Sequence, residues 1–117
     1  MRVFERHYFH PPIPATINDQ SASQQVLIND ISIDGVRFTF KDPVRINLNG
    51  ELQLTFDIET PERRTITMRL LLVGLEPPIY RCMWNPCNEH HGIALTQWVK
   101  RLLGDEDRFY TRSDKHK

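Results

Sequence analysis

At 117 residues, with 15 basic and 15 acidic side chains, the chain carries no formal net charge and has room for one core. No global field then draws a long polyanion or an anionic membrane to it, and only local positive charge is left to hold an anion. No apolar run approaches the roughly 20 residues that cross a bilayer, and MRVFERHYFHPP lacks the apolar stretch of a secretion signal, so the expected location is cytoplasmic. Cys82 and Cys87 are accordingly expected as reduced thiols.

The chain opens with Arg2, Phe4 and Arg6, and continues into Pro11, Pro12 and Pro14, which exclude a continuous helix. Residues 1–14 are expected to form a flexible arginine arm. Asn18 to Ser23 is polar and turn-like, and Val26 and Ile28 then alternate with Leu27 and Asn29 toward Asp30, which reads as a strand. Beyond Gly35, a second strand has Val36, Phe38 and Phe40 on one face and Arg37 and Thr39 on the other.

The same period of two recurs at Leu52, Leu54, Phe56 and Ile58, and at Ile66, Met68, Leu70 and Leu72, joined by a polar loop with Pro61. Another strand is expected through Tyr80, Cys82 and Trp84, a turn at Asn85 to Glu89, and a last short strand around Gly92 to Leu95. The period then changes. Trp98, Val99, Leu102 and Leu103 share a helical face, Lys100 and Arg101 suit the negative end of a helix, and Gly104 can stop it. Residues 105–117 read as a charged, disordered tail.

The expected fold is therefore all-β. It is a six- or seven-stranded antiparallel barrel over residues 1–104, closed so that no edge is left open, with a short C-terminal helix.

Two features carry chemistry. In NDISIDG, Asp30, Ser32 and Gly35 present a carboxylate, a hydroxyl and an approachable backbone at one corner of the sheet. Upstream, Arg2 and Arg6 supply two planar five-donor forks suited to phosphate oxygens and purine edges. The plainer reading of Asp30 and Ser32 is a turn stabilised by side-chain bonds to nearby amides.

Cys82, Cys87, His90 and His91 bring together zinc-ligand types, but Cys-x4-Cys followed by adjacent histidines matches no usual tetrahedral spacing, so no metal is expected. Ser32 has no histidine placed near it, and no Gly-rich phosphate loop or carboxylate pair stands out. Binding is expected rather than catalysis.

Arg2-x-x-x-Arg6, then Asp30-x-Ser32-x-x-Gly35, then alternating strands and a short terminal helix resemble a PilZ domain, the bacterial receptor for cyclic di-GMP. The resemblance runs from Arg2 to about Gly104. It implies that Arg2 and Arg6 clamp the phosphates and guanine edge, that Asp30 accepts from guanine N1 and N2, that Ser32 adds a hydroxyl bond, and that Gly35 lets the backbone turn. A second frame of the motif starts at Arg6 and puts His10 in the place of the other arginine; the Arg2 and Arg6 frame is preferred because both positions are then arginines flanking an aromatic. His7 and His10 are possible additional contacts.

From the three prolines and the charges of the arm, ligand is expected to fold it over the barrel, and the rearranged face to be read by a downstream protein partner or by another copy of the chain. The outputs typical of proteins that resemble this one are of the motility or biofilm kind. Two alternatives remain open. One is a PilZ-like interaction module that binds no nucleotide. The other is a small barrel for single-stranded nucleic acid, with Phe4, Tyr8 and Phe9 stacking beside Arg2 and Arg6, against which the neutral charge counts.

Overall fold

A computed structural model describes residues 5–58, 64–85 and 90–104. Its elements are β1 (His7–Asn18), β2 (Ser23–Ile31), β3 (Gly35–Phe40), β4 (Leu52–Ile58), β5 (Arg64–Glu76), β6 (Ile79–Trp84) and α1 (His90–Leu103). Arg2, Phe4, Pro61, Cys87 and the tail from residue 105 lie outside the described residues, as does the side chain of His90.

The strands close into an antiparallel barrel in the order β1-β2-β3-β6-β5-β4, with β4 returning to β1 through Thr16↔Thr55, Ile17↔Leu54 and Asn18↔Gln53. Closure gives every strand two neighbours, although the seam is staggered: the β1–β4 ladder spans only three residue pairs, and β5 pairs with β4 along its first half and with β6 along its second. The alternation legible in the sequence sorts the faces. Ile28, Phe38 and Tyr80 form one inward cross-strand row, and Leu52, Leu70 and Trp84 another. Fully burying each such aliphatic or aromatic side chain is worth about 1.5–3 kcal/mol.

Three expectations are corrected. Residues 7–14 are not an arm but the first part of β1: His7 pairs with Ile31 and Tyr8 with Asp30, and after an irregularity Ile13 and Pro14 pair with Ile28 and Leu27. The prolines are tolerated because Pro11 and Pro12 fall inside that irregularity and the ladder to β4 begins only at Thr16.

Gly92 to Leu95 is not a strand. It is the first half of α1, where Ala94, Leu95, Trp98 and Val99 recur at helical spacing and bury one stripe against the barrel. Among the described residues the strand count is therefore six. Finally, Arg6 does not swing free of the barrel but is docked on it, with its Nε donating to the Asp30 carboxylate. The helix stop is as expected: Gly104 takes φ +69° and its N–H donates to the Arg101 carbonyl at 3.1 Å.

The link from β3 to β4 crosses one end of the barrel and is pinned by Gln24. Its Oε1 accepts from the amides of Arg45 (2.6 Å) and Ile46 (3.1 Å), and its Nε2 donates to the Pro43 carbonyl at 2.9 Å. No helix among the described residues is long and apolar enough to cross a membrane.

Candidate functional site

β2 ends in Asp30 and Ile31, and the chain turns through Ser32, Ile33 and Asp34 before Gly35 opens β3. The turn is tightly tied. The Ser32 N–H donates to the Gly35 carbonyl at 2.9 Å, and the Ser32 Oγ accepts from the amides of Asp34 and Gly35, both at 3.3 Å. From β6, the Trp84 indole N–H donates to the Ser32 carbonyl and the Trp84 backbone N–H to the Asp34 carbonyl, each at 3.1 Å. Ser32 thus does the turn-stabilising work of the plainer reading, and its hydroxyl also donates to the Asp34 carboxylate.

Gly35 is required for close approach rather than for turning. Its φ is not in the left-handed region, but a Cβ there would lie 2.2 Å from the Cys82 carbonyl oxygen of β6. The lack of a side chain there lets β6 pack directly against the corner.

Onto this corner comes Arg6. Its Nε donates to Asp30 Oδ1, its Nη1 donates to Ser32 Oγ at 3.2 Å, and Nη1 lies 3.8 Å from Asp34 Oδ1. Asp30 is 3% exposed and Ser32 0%, so the carboxylate needs such a partner. Four sequence candidates are therefore brought together: Arg6, Asp30, Ser32 and Gly35. Arg2 lies outside the described residues.

His7 and His10 face elsewhere. Both line a groove of about 800 Å³ between the β1 irregularity, the end of β4 and α1, and none of Arg6, Asp30 and Ser32 belongs to its walls. Within that groove His7 meets Phe9 edge-on at 4.9 Å, and Phe9 stacks on Trp98 at 5.9 Å.

Sequence reasoning missed Asp34, Arg37 and the Trp84 indole. Arg37 pairs with Asp30 across β2 and β3, its Nε 3.9 Å from Asp30 Oδ1. Its outward position is legible from the alternation, but its register with Asp30 depends on the irregularity at Asn29, for which the sequence has no signal.

Of the zinc-type residues, Cys82 is buried and its thiol is pushed up to about 12 by burial. His91 Nδ1 is engaged with the backbone of Thr67, at 2.9 Å from its N and 3.0 Å from its O. Among the described residues no three His, Cys, Asp or Glu side chains converge on a common point.

The PilZ domain family model matches residues 2–101. Among solved structures, the PilZ domain of YcgR from Escherichia coli, determined with c-di-GMP, is similar at 12% identity and TM-score 0.63, covering 97% of this chain and 98% of that one. The PilZ domain of CeSA from a cellulose-synthesizing bacterium is similar at 12% identity and TM-score 0.62, over 87% and 98% of the two chains. The Bacillus subtilis inhibitor of motility MotI/DgrA is similar at 16% identity and TM-score 0.67, over 91% of this chain and 53% of that protein. At these identities the likeness is one of fold. Nothing among curated proteins matches the sequence.

Proposed function

The chain belongs to the PilZ domain family, and we propose that it is a cytoplasmic receptor for cyclic di-GMP that binds rather than transforms its ligand. The observation that carries this reading is the convergence of Arg6, Asp30 and Ser32 on one corner from positions 24 and 26 residues apart. Support comes also from relatives of the same fold determined with c-di-GMP, YcgR and the PlzA protein of Borreliella burgdorferi.

The chemistry is an exchange of partners. In the free protein the Arg6 guanidinium occupies Asp30 Oδ1 and donates to Ser32 Oγ. On binding, Arg6 turns to phosphate oxygens, with Arg2 as a second fork, and Asp30 is released to accept from guanine N1–H and N2–H. Each new bond is charge-assisted, and each replaces a bond of similar kind. Affinity then rests on the bonds that the ligand makes in excess of those it displaces. Gly35 serves by letting β6 pack directly against the corner.

Moving Arg6 off the barrel alters the segment that leads into β1, and a downstream protein partner reads that altered face. The test is calorimetric titration of the protein with cyclic di-GMP, with GTP and GMP as controls and Arg6→Ala in parallel. Selective micromolar or tighter binding that is lost in the variant supports the receptor. No heat from the folded protein overturns it and leaves the Arg6–Asp30 pair as a structural clamp in an interaction module.

A further inference from the structure

Outside the corner, four positions on adjacent strands fall in one cross-strand row. Asp30 of β2 faces Arg37 of β3, Arg37 faces Arg81 of β6, and Arg81 faces Gly74 of β5. Residues opposite one another in an antiparallel pair share a face, with Cβ atoms about 4.5–5.5 Å apart. Arg37 and Arg81 are therefore like charges set side by side, an arrangement that is unfavourable unless an anion lies against both.

The carboxylate across from Arg37 is already committed. Asp30 takes the Arg6 Nε, and its 3.9 Å separation from the Arg37 Nε is too long for a hydrogen bond. The Arg37 Nε is buried and has no hydrogen-bond partner among the described residues. Arg81 lies over the bare backbone of Gly74, where a Cβ would come 2.6 Å from its Nε and 2.7 Å from its Nη2. The missing side chain at Gly74 is thus the space in which this guanidinium rests. No ion pair engages Arg81 among the described residues.

We propose that Arg37 and Arg81 form an anion subsite, continuous with the Arg6–Asp30–Ser32 corner, that takes a phosphate or phosphodiester group. Two strand spacings, about 10 Å, separate Asp30 from Arg81. That is the scale of the reach from the pairing edge of a purine to the phosphate of its nucleotide. For the identity of the full ligand the inference rests on the receptor reading above, but the anion chemistry stands on these residues alone.

The experiment titrates the protein, Arg81→Gln and Arg37→Gln with cyclic di-GMP at two salt concentrations. Alongside, inorganic phosphate and pyrophosphate are titrated while the amide resonances of β3 and β6 are followed. Each variant is expected to weaken dinucleotide binding at least tenfold and to flatten its salt dependence. Without ligand, Arg81→Gln should melt no lower than the parent, because it removes a like-charge contact; a role confined to stability would instead lower the melting temperature.

If the parent binds the dinucleotide and both variants match it in affinity and salt slope, the subsite is overturned and the receptor reading stands. If the parent ignores the dinucleotide but inorganic phosphate shifts β3 and β6 resonances, and Arg81→Gln abolishes the shifts, the subsite stands and the receptor reading falls. A parent that responds to neither overturns both.

Discussion

The Arg6 Nε and Asp30 Oδ1 form an ion pair that closes 24 residues of chain and fixes the start of β1 against the turn between β2 and β3. The guanidinium therefore has a structural part in the free protein and, in the proposed complex, a binding part. Arg6→Ala should reveal both. Loss of a charge-assisted bond costs about 1.5–3 kcal/mol, or roughly ten- to a hundredfold in affinity for cyclic di-GMP. The same substitution leaves a buried carboxylate short of its partner and should lower unfolding stability by about 1–3 kcal/mol, cushioned by Arg37 nearby. Calorimetry and urea denaturation measure the two separately. A variant that loses affinity with unchanged stability would show that the ion pair contributes little to the free state.

The second test concerns Gly35. A methyl group there meets the Cys82 carbonyl carbon at 3.2 Å and its oxygen at 2.2 Å, and both atoms are backbone that cannot swing away. Gly35→Ala should cost about 1–3 kcal/mol of stability by overpacking and should push β3 off β6 where the corner is anchored. Gly50→Ala is the control, since its nearest neighbour would be the Asn47 side chain at 3.7 Å. Equal melting temperatures for the two variants would refute the close-packing account.

These strands show what the sequence can and cannot carry. β3, β4 and β6 are legible because each has one buried and one wetter face, which prints a period of two. The alternation of β5 is clear only as far as Leu72, although the strand runs to Glu76, because Leu71, Val73 and Leu75 are apolar yet exposed and blur it. β1 is hidden by its prolines, whose positions in an irregularity cannot be told from positions in a loop. Gly92 to Leu95 misleads for a different reason: a short apolar run fits either period until its next turn is included. At the site, Asp30, Ser32 and Gly35 stand out because their relationship is local. Arg37 and Arg81 join them only through strand register, and strand order places β6 beside β3 rather than β4.

Cys82 gives a test of the interior. Burial pushes its thiol up to about 12, and it is 2% exposed on β6, so it has almost no thiolate at neutral pH and little access. With iodoacetamide at pH 8, peptide mapping should find Cys82 unmodified in the native protein and fully modified in denaturant. Cyclic di-GMP should not change that pattern. Rapid native labelling at Cys82 would mean that the β3–β6 seam opens readily.

Acid stability should expose the clamp at Asp19, between β1 and β2. Its Oδ2 accepts from the Asn47 amide at 2.8 Å, and its Oδ1 from the amides of Ser21 (2.6 Å) and Ala22 (2.7 Å). These backbone bonds, Asn47 foremost, hold the carboxyl down to about 2 from an ordinary 3.8. Because the folded value lies below the unfolded one, the contribution is complete above the unfolded value. It is lost as pH falls from about 4 through about 2. Asp19→Asn should therefore melt below the parent at pH 7, and the gap between them should narrow progressively below pH 4. The group is on the surface, and its bonds join the turn to the β3–β4 link, so the loss should appear as loosening of that end of the barrel. Hydrogen exchange at the Asn47 amide should accelerate in Asp19→Asn at neutral pH, and a gap that stays constant down to pH 2 would assign the stabilisation to something other than the ionised carboxylate.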